Sequence, residues 1–221
     1  KIAVIGLGYV GLPLLIRLAR SFDQTVGFDT DGRRVAALRS GAGLVTLVVP
    51  DSIYAIVARR DSEIMVQSLS STRTGALDFK NNKKITTLIQ NQDVLAIGPG
   101  LSRNPSTVKL IQKLIMQTTL PTVIDADALN ALEMAPHLLL KTHAPLILTP
   151  HEGEFDRVFS SPLTDAVKGI QPRRLGWQAA YRKKAAQAMA KKFGVFIVLK
   201  GHRTVVAGPD GKIFVNPSGN P

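Results

Sequence analysis

A three-layer α/β fold, with a mostly parallel sheet covered by helices on both faces, follows from three features of this 221-residue sequence. Short aliphatic runs alternate with amphipathic stretches from one end to the other. The runs are continuously apolar, as strands buried on both faces are, instead of alternating. Glycines and charged residues gather just after the runs, at the sheet edge where such folds hold ligands.

Residues 2–5 form the first expected strand and end in glycines. A helix over 12–21 follows, with Leu14, Leu15, Leu18 and Phe22 on one face. Residues 25–28 are a second strand and 33–39 a helix with Val35, Ala36 and Leu38 turned inward. Residues 44–49 are a third strand, stopped by Pro50. A helix from 51 and a strand at 64–66 come next, then a polar loop or short edge element over 68–84. Residues 85–89 read as helical, and 94–97 as a strand running into Gly98-Pro99-Gly100. A helix over 107–117 is capped by Asn104 or Ser106. Strand 122–124, helix 129–140 and strand 146–148 continue the alternation, and Gly194 stops a helix over 178–193. Strand 195–199 leads to a hairpin of 204–207 and 213–215 around Pro209-Asp210-Gly211.

Composition narrows the function. A 45% hydrophobic content and a mean hydropathy of +0.11 exclude a disordered chain. Aromatics are 5%, so the core is expected to be aliphatic. The absence of cysteine excludes disulfides, thiolate zinc sites and a cysteine nucleophile. The longest apolar runs fall far short of the ~18 residues that span a bilayer, so no membrane segment is expected. A net charge of +12 attracts anions: nucleotides, phosphates or nucleic acid, unless the basic face is simply solvated. No nucleic-acid partner is expected, because aromatics are not interleaved with the basic residues and no recognition motif occurs. Arg173, Arg174, Arg182, Lys183, Lys184, Lys191 and Lys192 are read as a solvated polar face, with Tyr181, Ala185, Ala188 and Met189 as the apolar stripe. The first residue is Lys1, so a fragment is expected.

Gly6-Leu7-Gly8-Tyr9-Val10-Gly11 fits the dinucleotide fingerprint between a strand and a helix, with Asp29 ending the next strand where an acid bonds a ribose hydroxyl. The alternative is a glycine-rich turn without a ligand. The words KIAVIGLGYVGLPL and VGFDTDGRRVAALRSG resemble the opening of the UDP-glucose/GDP-mannose dehydrogenase family, which implies a Rossmann-like βαβα unit over residues 1–40. The likeness stops near Gly41, and that family's catalytic cysteine has no counterpart. An NAD-dependent UDP-sugar dehydrogenase fragment is therefore an alternative reading.

From Gly41 the words GAGLVTLVVPDSI (41–53), DVLAIGPGLSRNP (93–105), VIDADALNAL (123–132), LILTPHEGEF (146–155), VLKGHRTVVAGPDG (198–211) and VNPSGNP (215–221) resemble the ADP-dependent NAD(P)H-hydrate dehydratase family. This implies a ribokinase-like domain over 41–221 and a lyase that repairs hydrated NAD(P)H. ADP or ATP, with Mg2+, would phosphorylate the hydrate's hydroxyl, and phosphate would then leave. Small-molecule nucleotides, a cytoplasmic location and a homo-oligomer are the corresponding expectations.

The same resemblance assigns roles. Gly98 and Gly100 would lie against the hydrate, although a simple strand-to-helix turn also needs them. Asp125 and Asp127, with Asn130, would arrange Mg2+ or water near phosphates, or cap a helix. His151, with Glu154 beside it, would contact the hydrate. Lys200, Gly201, His202, Arg203 and Thr204 match the nucleotide-binding K-G-x-x-T, and Asn216 and Gly219 begin the approach to a phosphate-cradling loop. In the family that loop ends in a catalytic aspartate. The chain stops at Pro221 before it, so no catalytic base is assigned and impaired turnover, or a non-catalytic nucleotide-binding remnant, is expected. The join near residues 37–41, where both families carry similar residues, suggests a chimera.

Overall fold

The computed structural model describes residues 2–5, 45–59, 65–166 and 179–216. Within them lie β1 (Ile2–Ile5), β2 (Val45–Pro50), β3 (Met65–Leu69), β4 (Val94–Ile97), β5 (Thr122–Ile124), β6 (Leu146–Leu148), β7 (Phe196–Leu199), β8 (Val205–Ala207) and β9 (Ile213–Val215). They form one sheet in the order β3-β2-β1-β4-β5-β6-β7-β8-β9. Pairing is parallel from β3 to β7, and β8 and β9 are added antiparallel. The helices are α1 (Asp51–Ala58), α2 (Asn82–Ile89), α3 (Pro105–Gln117), the single turn α4 (Asp127–Asn130), α5 (Glu152–Ala166) and α6 (Ala179–Phe193).

The order places β1 between β2 and β4, so the chain steps outward one way through β1, β2 and β3, and the other way through β4, β5, β6 and β7. Right-handed crossovers that run opposite ways carry their helices to opposite faces. The point where the direction reverses, between β1 and β4, is where α/β sheets open a crevice at their carboxyl ends.

β4 and β5 are buried at every residue, which is why β4 is an unbroken apolar run and β5 adds only Thr122, whose hydroxyl donates to the Leu120 carbonyl at 2.8 Å. α3 turns Leu110, Ile111, Leu114 and Ile115 into the core, and the Asn104 side chain caps it by accepting the Ser106 N–H. α5 contributes Phe155 and Phe159, both fully buried. Their rings lie 4.9 Å apart, and Phe159 meets Phe193 of α6 at 5.3 Å. Burying such a side chain is worth roughly 1.5–3 kcal/mol, so this aromatic trio anchors both helices.

Several expectations change. The helix expected over 129–140 is one turn, α4, followed by a 3-10 helix at Pro136–Lys141, because Pro136 cannot donate to a continuing α-helix. α5 was not anticipated from the sequence at all. The strand expected at 64–66 is Met65–Leu69, and the polar segment after it holds a 3-10 turn (Phe79–Asn81) that leads straight into α2. The two helices and the strand expected over 12–39, with Gly6, Gly8, Gly11 and Asp29, lie outside the described residues, as does Gly219. Among the described residues no helix is long and apolar enough to cross a membrane.

Candidate functional site at the strand ends

The carboxyl ends of β4, β5, β6 and β7 stand in a row, and each carries residues singled out above. At the end of β4 the backbone passes very close to that of β5. A Cβ on Gly98 would stand 2.8 Å from the Asp125 carbonyl oxygen, so no side chain fits there. Gly100 and Ser102 both take positive φ, 78° and 70°, which turns the chain sharply towards α3. The Ser102 N–H donates to Asp127 Oδ2 at 2.9 Å. Asn130 accepts from Arg103 Nη2 at 3.0 Å and from Arg157 Nε at 3.3 Å, and its amide donates to Asp127 Oδ1 at 3.3 Å. Ala126, between the two aspartates, is held at φ 47°. Such a backbone costs a non-glycine residue on the order of 1–3 kcal/mol and persists only where its neighbours fix it.

This end of the row opens into a cleft of about 510 Å³ lined by Pro50 and Ile53 on one side, Thr74–Leu77 on another, and Gly100–Ser102 and Asn104 on the third. Asp51, the first residue of α1, secures the Thr74 wall. It accepts the Ser71 N–H at 3.0 Å and the Ser71 hydroxyl at short range. The Ser71 hydroxyl is the main reason the Asp51 carboxyl is held below its ordinary value, and the Ser71 and Ser52 N–H groups and Lys80 add to it.

The middle of the row is ionic. Asp125 is 2% exposed, and its Oδ1 receives the Lys200 ammonium at 2.8 Å. Glu154 Oε2 stands 3.6 Å from the same ammonium and accepts the His151 N–H at 2.8 Å. His151 reciprocates as the cap of α5: its Nδ1 accepts the N–H groups of Gly153 at 3.0 Å and Glu154 at 3.3 Å. His151 and Glu154 thus form a capping box across the first turn. With Nδ1 accepting, the proton of a neutral imidazole sits on Nε2, which lies 3.4 Å from Glu154 Oε1. A continuous polar chain therefore runs from buried Asp125 through Lys200 and Glu154 to His151, which is open to solvent.

The far end belongs to β7 and the loop after it. The Lys200 N–H donates to the Pro150 carbonyl at 2.8 Å, locking the tip of β7 to that of β6. Gly201 has φ 142° and Arg203 φ 55°. The Thr204 hydroxyl donates to the Gly201 carbonyl at 3.2 Å, and the Asn216 N–H to the Thr204 carbonyl at 3.0 Å. A smaller cleft of about 270 Å³ opens here, walled by Glu152, Arg182, Lys183, His202, Arg203 and Val215 among others.

Gly98, Asp125, His151, Glu154 and Lys200 are therefore brought together at adjoining strand tips, with Asp127 and Asn130 alongside. Gly100 faces the larger cleft, and His202 and Arg203 face the smaller. The sequence reading missed Arg103, Arg157 and Arg182. Arg182 was assigned to a solvated face, yet only 6% of its side chain is exposed. Its spacing held the signal, since it shares one helical stripe with the buried Ala185, Ala186, Met189, Ala190 and Phe193.

Against known protein families, residues 34–221 match the NAD(P)H-hydrate dehydratase family, also called Carb_kinase. The chain belongs to this family. A bifunctional NAD(P)H-hydrate repair enzyme from Moorella thermoacetica is 45% identical over 186 residues, covering 84% of this chain and 33% of the relative. An ADP-dependent (S)-NAD(P)H-hydrate dehydratase from Xanthomonas campestris is 31% identical over 186 residues, covering 84% of this chain and 58% of the relative. The chain thus spans a third to somewhat over half the length of these two relatives. Among solved structures, a ribokinase-like protein from Enterococcus faecalis shares the fold, with TM-score 0.64 at 23% identity over 100% of this chain and 63% of its own. An ADP/ATP-dependent NAD(P)H-hydrate dehydratase from Bacillus subtilis, co-crystallised with ATP/Mg2+ and soaked with CoA, aligns at TM-score 0.60 and 26% identity over 99% of this chain and 66% of its own. The fold is ribokinase-like, as expected from residues 41–221.

Proposed function

We propose that this chain serves the ADP- or ATP-dependent dehydration of NAD(P)H hydrate. The observation that carries the reading is the ionic row Asp125–Lys200–Glu154–His151, set between two clefts at the strand ends of a chain in the dehydratase family. Two clefts suit a reaction that must seat two nucleotides at once. The larger, lined by the Gly100–Ser102 turn, is assigned to the hydrate. The smaller, beside the Lys200–Thr204 loop, is assigned to the phosphoryl donor.

The chemistry needs a better leaving group than hydroxide. The donor's terminal phosphoryl passes to the hydrate's hydroxyl, which gives up its proton. The carbon–oxygen bond then breaks, inorganic phosphate departs, and the ring loses a proton to restore its double bond. Lys200 fixes Asp125 and Glu154 at the reacting edge, and His151 presents an Nε2–H at its solvent end. Fixed dipoles of this kind cost no reorganisation when charge develops. Mg2+ has no cage made by protein alone here: among the described residues no three acidic, histidine or cysteine side chains are arranged to hold an ion. Asp125 is moreover already matched to an ammonium. Assembly as a homo-oligomer in the cytoplasm belongs to the same proposal.

A second reading rests on β1. β1 borders the point where the crossover direction reverses, and in the sequence the fingerprint Gly6–Gly11 is the next segment. A dinucleotide held there by Gly8 and Asp29 would make residues 1–40 an NAD-binding unit.

One assay separates the readings. With the protein in its natural full length, NADH hydrate should trigger release of phosphate from ADP and return of the reduced-nicotinamide absorbance. Phosphate release that ignores the hydrate would overturn the proposal. A Gly8→Asp variant should leave ADP binding unchanged; loss of NAD+ binding in that variant would favour the second reading.

A further inference from the structure

Arg182 plays no part in the reaction described above, yet it is the most heavily engaged buried cation at the strand ends. It projects from α6 beneath the loop that follows β7. Its Nη2 donates to the carbonyls of Leu199 at 3.2 Å and Lys200 at 3.1 Å. Its Nη1 donates at short range to the His202 carbonyl and reaches that of Arg203 at 3.5 Å. On its remaining side, Nε lies 3.1 Å from Glu152 Oε1, off the line of a hydrogen bond. Glu152 is the first residue of α5, next to His151. One guanidinium therefore spans the nucleotide loop and the helix start that carries the imidazole.

The consequence follows from peptide geometry. In a planar trans peptide the C=O and the next N–H point in opposite directions. Carbonyls of Lys200 and His202 drawn in towards Arg182 turn the N–H groups of Gly201 and Arg203 outward. Backbone N–H groups turned outward on a loop are donors from which an anion such as phosphate can accept, as it does in the concavities that turns form. Gly201 and Arg203, the two residues whose N–H groups turn outward, both have positive φ. Gly201 is also the residue that makes room, because a Cβ there would lie 2.8 Å from Arg182 Nη2.

We propose that Arg182 is the positioning residue of the nucleotide loop: by gathering the carbonyls of Leu199, Lys200 and His202 from below, it aims the Gly201 and Arg203 N–H groups at a phosphate. This rests on the assignment of the phosphoryl donor to the Lys200–Thr204 loop. The planar fork matters as well as the charge. A lysine at this position supplies one point charge and cannot bridge carbonyls on both sides.

The test uses the full chain and two variants, Arg182→Gln and Arg182→Lys. Two quantities are measured: ADP affinity by calorimetry, and amide hydrogen exchange of residues 199–205. Both variants should weaken ADP at least tenfold and speed exchange of the loop by a similar factor. Exchange in β4 and β5 should stay within twofold of wild type, which separates a local role from general destabilisation. If Arg182→Gln does not fold, Arg182→Lys carries the same comparison. Wild-type exchange and ADP affinity in a folded variant would overturn the proposal. Faster loop exchange with no ADP binding even by wild type would instead overturn the nucleotide assignment and leave the structural role of Arg182 standing.

Discussion

The two ends of the strand-tip row are built by different physics. At the β4–β5 end, shape comes from the backbone. Gly98 allows two chains to touch, Gly100, Ser102 and Ala126 take positive φ, and short side chains tie the turns together. At the β7 end, shape comes from charge: Lys200 is locked between two carboxylates and Arg182 is wrapped in carbonyls. A surface set by backbone geometry tolerates changes of ionic state but not added volume. One set by buried charges tolerates small changes of volume but not loss of a partner.

The sharpest contrast comes from Lys200→Met. It strands the buried Asp125 carboxylate, and breaking a buried pair in this way costs about 3–5 kcal/mol. Adding Asp125→Asn should recover most of that loss, as read by urea denaturation of the single and double variants. Recovery of less than half would show that the lysine stem, and not its charge, supports this end. Gly98→Ala probes the opposite end. Its methyl meets backbone instead of a flexible side chain, so a cost of about 1–3 kcal/mol is expected. Denaturation at wild-type urea concentrations would mean that the β4–β5 contact can open freely. The smallest effect is in acid. The Asp51 carboxyl, held low chiefly by the Ser71 hydroxyl, supports the 71–77 wall at pH above the ordinary carboxylate value. That support is lost as pH falls through the lowered value. Proteolysis of the wall should therefore increase in acid for wild type and already be raised, with a flatter pH profile, in Asp51→Asn.

A central strand such as β4 was readable because a strand buried on both faces is apolar almost throughout, and Pro50, Gly98 and Pro150 mark where runs stop. The site glycines were readable for the same reason, since they follow directly. α5 escaped because Gly153 and Pro162 break its propensity, while Phe155, Val158 and Phe159 supply its apolar stripe. The leucines over 129–140 keep a helical spacing across Pro136, which hides the break that its missing N–H imposes. Arg182 escaped because a charged side chain is normally turned to water, and only the ring of carbonyls around it reverses that preference. That Lys200 meets two carboxylates could not be read from spacing, since Asp125 lies 75 residues away along the chain.

The central place of β1 also bears on biogenesis. Its registers are Ile2 with Val45 on one side and Ile2 with Val94 on the other, so β1, made before both of its neighbours, is clamped on both edges only after β4 emerges. Throughout that interval an apolar edge awaits its neighbour, the kind of exposure that recruits chaperones and invites misassembly.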